Sequence, residues 1–348
     1  MTTTPTAPRR TWIPVVGVGL LAVLLLVWAK WQPYWVKVPS VAGSGSLGSS
    51  ILPADGVSLR AGLAFAGTYF LAIWPALVTG LVLAAAIRTV LPADWTARVV
   101  GRRGSVVGSA LAVPGMMCSC CSAPVAVGLR QRAADVRAAL AFWLASPALN
   151  PVVLVFCAFV LPWPWTLLRL AAGLGVVAVG ALAARRAGDA PDPTGLVVAT
   201  DSGDDGRPLP IRFLAALGSL SVRLLPEYLV LVVALGALRG VLFPVGAGLA
   251  GTHGAVVVAI VVLLAVAGTL LPIPTGAEIA AVAALLAAGV SPVIAAALLV
   301  TLPAISLPSL LMVRRVFPTR VLATVTVGTV LIGVVCSVVV AVGGSWTA

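Results

Sequence analysis

The sequence predicts an all-α polytopic membrane protein. It would consist of two inverted repeats, each with about three spanning helices plus a re-entrant broken-helix hairpin, and an extra N-terminal helix. Three observations predict this. The 348 residues are 61% hydrophobic and only 9% charged, against about 45–50% and about 25% in ordinary soluble domains. The apolar residues come in long runs with arginines at their ends. Two of the runs are broken in the middle by Pro, Gly and small polar residues.

The composition excludes several classes at once. A globule in water could not cover this much apolar surface with so few charges. A soluble enzyme, a secreted disulfide scaffold and a disordered chain are therefore ruled out. Lys and Arg number 22 against 10 Asp and Glu, a net charge of +12. In a soluble protein that excess would point to nucleic acid. Here the basic residues flank apolar runs, as the positive-inside rule requires. The expected partner is the lipid bilayer, with no nucleic acid.

Each element follows in order. Residues 13–29 form the first apolar run, preceded by Arg9 and Arg10. The run is longer than the apolar core of a signal peptide. It reads as an uncleaved anchor of the inner (plasma) membrane with a cytoplasmic N-terminus. The segment 31–60, with Gly43-Ser44-Gly45-Ser46 at its centre, reads as an extracytoplasmic loop. Residues 61–87 form a span, followed by Arg88, Arg98, Arg102 and Arg103. The run 106–127 is interrupted by Pro114-Gly115 and by Cys118-Ser119-Cys120-Cys121-Ser122, and Arg130, Arg132 and Arg137 follow. Spans at 138–161 and 167–184 complete the first half.

Residues 187–212 form a hydrophilic linker holding Asp189, Asp192, Asp201, Asp204 and Asp205. The second half has a span at 213–238, an apolar stretch at 255–288 broken by Pro272-Ile273-Pro274-Thr275-Gly276, and spans at 292–313 and 321–342. The domain plan is therefore an N-terminal anchor helix and loop (1–60), a first transmembrane repeat (61–186), a cytoplasmic acidic linker (187–212) and a second repeat (213–348). Shifting 114–155 by 156 positions aligns the halves without a gap: Cys118 falls on Pro274, Ser122 on Glu278 and Asn150 on Ser306.

Charge decides the topology. If each interrupted stretch crossed the membrane, Arg130, Arg132 and Arg137 would lie outside. If each is a hairpin entering and leaving on one face, 88–103, 130–137, 185–212 and 314–320 are all cytoplasmic. The hairpin arrangement leaves three full spans per half, which inverts the repeats. Many secondary transporters share this plan, with sites near the midplane where broken elements meet.

The polar residues inside this frame are few. Cys118, Cys120 and Cys121 fall within four residues. Clustered thiols are good ligands for soft metals and metalloids, and a helix N-terminus favours the reactive thiolate. Ser122-Ala123-Pro124 reads as such a helix start. The plainer reading makes these cysteines small residues of a tight hairpin. Cys157 and Cys336 stand alone in apolar spans and read as core.

Glu278 lies in an apolar stretch, where a charge costs about 2.5–3.5 kcal/mol on insertion scales. It must line a cavity, be protonated or find a partner. Thr275-Gly276-Ala277-Glu278 also has the form of a capping box. Glu227 is expected to pair with Arg223 one turn earlier. Asn150 and Ser306 sit in matching motifs whose prolines free a carbonyl one turn back. Such groups bind substrate or bond a neighbouring helix. The single histidine, His253, lies in a loop, which argues against a His-based metal site. With no Gly-Lys-Ser/Thr loop, the chain is not expected to hydrolyse ATP, to be an enzyme or to need a cofactor.

Cys118-Ser119-Cys120-Cys121-Ser122-Ala123-Pro124, Gly128-Leu129-Arg130, Ser146-Pro147-Ala148-Leu149-Asn150-Pro151 and Pro303-Ala304-Ile305-Ser306-Leu307-Pro308-Ser309 resemble the two halves of the ArsP-type predicted permeases, over roughly residues 60–340. The resemblance implies a permease. Its best-understood members export trivalent organoarsenicals through membrane cysteines. By that implication Cys118, Cys120 and Cys121 would bind a metalloid substrate, with Glu278, Asn150 and Ser306 completing the path. The second motif here has no cysteine, so a thiol site would rest on the first motif alone. Two other functions stay open: a permease for another small solute with structural cysteines, and a membrane thiol oxidoreductase, which would need a second redox pair. Direction, coupling ion and homo-oligomerisation also stay open.

Overall fold

The structure, a computed structural model, describes residues 12–48, 57–91, 104–131, 135–186, 208–242, 254–343 and 346. Arg98, Arg102, Arg103, Arg132, His253 and most of the acidic linker lie outside the described residues. Seven helical segments among the described residues are long and apolar enough to cross a membrane: Val15–Ser44, Leu59–Val90, Val136–Val160, Trp163–Arg186, Leu209–Leu238, Pro292–Val313 and Thr319–Gly343. Their outer faces carry bare apolar side chains such as Leu71, 78% exposed, and Val230, 67% exposed. Such a surface belongs against lipid. The protein is an all-α, multi-pass membrane protein.

The N-terminal segment departs from the expected loop. Helix α1 (Trp12–Leu26) runs through a π-helical turn, Val27–Trp31, into α2 (Gln32–Ser44). The chain stays helical well past Trp31. A π turn widens the helix by one residue, and Pro33, which has no N–H and crowds the turn before it, follows directly. Gly45, at φ 62°, closes the segment.

The first half begins with α3 (Leu59–Val90), started by the Ser58 hydroxyl, which accepts from the Ala61 N–H. A hairpin follows. It comprises α4 (Gly104–Ala112), a short 3-10 turn (Val113–Gly115), a break, and α5 (Ser119–Gln131). Then come α6 (Val136–Ala148), α7 (Pro151–Val160) and α8 (Trp163–Arg186). The second half repeats this order. It has α9 (Leu209–Leu242), a hairpin of α10 (Ala255–Gly268) and α11 (Ala277–Ala287), then α12 (Pro292–Ala304), α13 (Leu307–Val313) and α14 (Thr319–Gly343).

Packing repeats as well. The first hairpin limb lies on the broken helix of its own half, α4 on α6 and α10 on α12. The second limb leans on the short helix of the other half, α5 on α13 and α11 on α7. Helices α3 and α9 pack along each other, with Phe65, Tyr69, Phe70 and Tyr228 in ring contact between them. The chain trace thus carries both hairpin breaks into the interior.

Three sequence readings are corrected locally. Helix α5 starts at Ser119, three residues before the expected Ser122, so Cys120 and Cys121 lie in its first turn. Ser122 instead donates back to the carbonyls of Cys118 and Ser119, at 3.1 and 3.2 Å. No capping box forms at 275–278. Gly276, at φ 90°, stands at the N-cap of α11 without a side-chain bond, in a left-handed conformation that favours glycine. Glu227 bonds Arg314 and Arg315 at 3.1 and 2.8 Å, not Arg223. The α9–α13 packing brings those arginines closer than the neighbour on its own helix.

Candidate functional site

The break of the first hairpin is sharp. Met116 adopts φ 47°, which is uncommon for a residue with a side chain and occurs preferentially at functional sites. The turn fixes Cys118 just ahead of α5. Cys118 Sγ then lies 3.0 Å from Cys121 Sγ, and both thiols are free and buried. Cys120 faces another way. Its sulfur lies 3.1 Å from Ser306 Oγ and accepts from the Tyr69 hydroxyl at 3.6 Å. Tyr69 in turn accepts from the Tyr228 hydroxyl at 2.7 Å. Ser119 Oγ also meets Ser306 Oγ, at 3.3 Å. Among the described residues, no three His, Cys, Asp or Glu side chains converge to hold a metal ion. Cys118 and Cys121 therefore pair at the tip, while Cys120, also within bonding reach of Cys118, is held by Ser306 and Tyr69.

The hairpin is clamped from two sides. The Trp143 indole N–H donates to the Ser119 carbonyl at 3.1 Å, and Ser122 Oγ returns a bond to the Trp143 carbonyl at 3.4 Å. That carbonyl lies one turn before Pro147, which cannot donate to it. Behind Cys121, a Cβ on Gly80 of α3 would come within 2.4 Å of the Cys121 carbonyl oxygen. Only glycine allows this approach.

The second hairpin contributes a charge. The Glu278 carboxylate accepts from Arg169 of α8 at 2.8 Å, with both side chains almost fully buried. Arg169 also donates to the Leu299 carbonyl at 2.6 Å and to the Pro147 carbonyl at 3.3 Å. Leu299 lies one turn before Pro303, so its carbonyl is the second one freed by a proline. The two freed carbonyls thus serve Ser122 and Arg169. Arg169 ties both broken helices to the second hairpin.

Asn150 stands at the N-cap of α7, its Oδ1 accepting from the N–H groups of Val152 and Val153. Its Nδ2 is buried without a hydrogen-bond partner among the described residues. Ser306 stands at the same place ahead of α13, but its hydroxyl turns to the first hairpin. Cys157 and Cys336 are buried in α7 and α14.

A small cavity joins these elements. The first hairpin lines it with Met117 and Cys118, the second with Ile273, Pro274, Thr275 and Glu278, and the broken helices with Pro147 and Pro303. It offers about 10 Å³ of water-accessible space, room for about one water molecule. Lys30, from the π turn, reaches its rim. The ammonium donates to Thr275 Oγ1 at 3.4 Å and lies 5.6 Å from the Tyr34 ring centre, and the residue as a whole is only 6% exposed. The next residue, Trp31, donates its indole N–H to the Pro114 carbonyl at 3.1 Å.

This arrangement can be set beside known proteins. A family model described as a predicted permease, ArsP_1, matches residues 58–202. The UPF0718 protein YraQ of Escherichia coli (strain K12) is 40% identical over 304 residues, covering 86% of each chain. The chain belongs to the ArsP-type predicted permease family. No solved structure matches it. The protein is thus a membrane permease. The α1–α2 segment of this permease lies ahead of the stretch that the family model matches.

Sequence reasoning missed Arg169, Lys30, Tyr69 and Tyr228. For Arg169 a signal was present. An arginine inside an apolar run is as costly as the glutamate in another, and the two neutralise each other. Lys30 reads as the flank of a span because the helix is widened just there. The two tyrosines give no signal in the sequence.

Proposed function

We propose that this permease exports a small soft, thiol-binding solute, such as a trivalent organoarsenical, through a site where the two hairpin breaks meet. The observation that carries the reading is the Cys118–Cys121 pair, two free sulfurs 3.0 Å apart with Cys118 on the cavity wall. An arsenical with one organic group has two exchangeable positions, and two thiols suffice to hold it. Sulfur prefers such soft centres over hard ones. Glu278, also on the wall, supplies a proton-accepting group, while Asn150 and Ser306 hold the helix breaks that shape the path.

The repeats would be inverted, with 61–186 and 213–348 as the two units, 187–212 as a cytoplasmic linker and the N-terminus cytoplasmic in the inner membrane. The reciprocal packing of each hairpin on the other half supports this arrangement, which would let the halves rock about one site.

Uptake of phenylarsonous acid into inside-out vesicles tests the function. Replacing Cys118, Cys120 and Cys121 together by Ser should leave membrane levels normal and abolish uptake, whereas Cys157→Ser and Cys336→Ser should transport normally. Full uptake by the triple variant would remove the thiols from the mechanism. For topology, Ala134→Cys in a cysteine-free background should resist an impermeant maleimide on intact cells. Labelling from outside would break the inverted arrangement.

A further inference from the structure

We infer that Lys30 makes the site selective for soft solutes that carry an acidic group, a carboxylate or sulfonate. The inference rests on the reading of Cys118 and Cys121 as the seat of the soft centre.

The charge balance around the cavity leads to it. Glu278 and Arg169 neutralise each other at 2.8 Å. Lys30 has no such partner, since no carboxylate among the described residues lies within ion-pair distance of it. Its contacts are neutral side chains: the Thr275 hydroxyl, and the ring and hydroxyl of Tyr34. A buried ammonium carries three donors and a full charge, and two hydroxyls and a ring bring no opposite charge to it. Thr275 shares the cavity wall with Cys118, and the ammonium stands within Coulombic reach of both Cys118 and Cys121. An anion placed against Lys30 therefore lies beside the thiol pair.

The thiol chemistry itself supplies no charge. A trivalent arsenical R–As(OH)2 exchanging with two thiols breaks two As–O and two S–H bonds. It forms two As–S bonds and releases two water molecules. The pair is neutral before and after, so the positive charge of Lys30 is met only by an anionic substituent on R. The π turn is the device that brings it there, and such turns recur at functional sites.

The test uses the full chain reconstituted in liposomes, with phenylarsonous acid and its 4-carboxy derivative as probes below saturation. Wild type should take up the carboxy compound about tenfold faster, the worth of one charged hydrogen bond. Lys30→Met should handle both alike, and Lys30→Arg should keep the preference. Equal rates for the two probes in wild type would overturn the inference without any variant. So would the same preference in Lys30→Met. If neither arsenical is carried, thermal unfolding of purified protein with benzoate and with benzamide decides. Stabilisation by benzoate alone, lost in Lys30→Met, would sink the arsenical reading and support the anion site. No effect of benzoate would overturn both.

Discussion

The two halves run in step after the hairpins and out of step within them. Helices α6 and α12, α7 and α13, and α8 and α14 each begin 156 residues apart, at Val136 and Pro292, Pro151 and Leu307, Trp163 and Thr319. The second hairpin limbs begin 158 apart, at Ser119 and Ala277. The breaks before them differ too. The first turns on Met116 at φ 47°, while the second ends on Gly276 at φ 90°. A common helical frame thus holds two different tips, one carrying sulfur and the other a carboxylate. The frame tolerates this because each limb also leans on the short helix of the other half. Chemistry could change at the tips while the helix starts stayed in place.

The largest effect is expected where the tips depend on charge. Arg169→Met leaves Glu278 buried without its cation and should cost about 3–5 kcal/mol, read as a large fall in the thermal unfolding midpoint in detergent. Arg169→Met with Glu278→Met should recover most of the loss. Equal instability in the single and double variants would mean that Arg169 acts mainly on the carbonyls of Leu299 and Pro147. Next comes Gly80→Val, which drives a side chain into the Cys121 carbonyl and should cost about 1–3 kcal/mol. Its thermal midpoint should fall and uptake should drop; an unchanged protein would show that the first hairpin has room to retreat.

Smaller effects separate the two matched positions. Asn150→Ala removes a helix cap and should destabilise by about 1 kcal/mol. Ser306→Ala leaves the bond from the Ser306 N–H to Ser309 Oγ in place at that helix start, but frees Cys120 from its 3.1 Å hydroxyl. It should alter the alkylation rate of Cys120 more than the thermal midpoint. Identical behaviour of the two variants would erase the distinction between the halves. The smallest change is Glu227→Gln. It breaks partly exposed pairs with Arg314 and Arg315 and should shift stability by at most about 1 kcal/mol, less in high salt.

The frame was largely legible in the sequence because lipid imposes it. Long apolar runs and flanking arginines mark the seven spans, the Pro and Gly breaks mark where two helices are interrupted, and the 156-residue shift that aligns Asn150 with Ser306 also aligns the helix starts. The cysteine cluster was legible by its density, and Glu278 by its cost. The partners were not, because they come from elsewhere in the chain. Arg169 is 109 residues from Glu278, and Lys30 is 245 from Thr275. Cys120 finds its hydroxyl 186 residues away. Local rules suggested nearer partners, a capping box for Glu278 and Arg223 for Glu227. Burial of the hairpin tips and the packing of α9 on α13 chose distant ones.

The adjacent residues Lys30 and Trp31 hold the two hairpin breaks, one at Thr275 and the other at Pro114. Consecutive side chains have a fixed span between them, so the N-terminal helix works as a caliper on the two breaks. If the hairpins part by more than a hydrogen bond can stretch, one grip must let go. Which grip releases first then sets which break moves with the helix and which moves away from it.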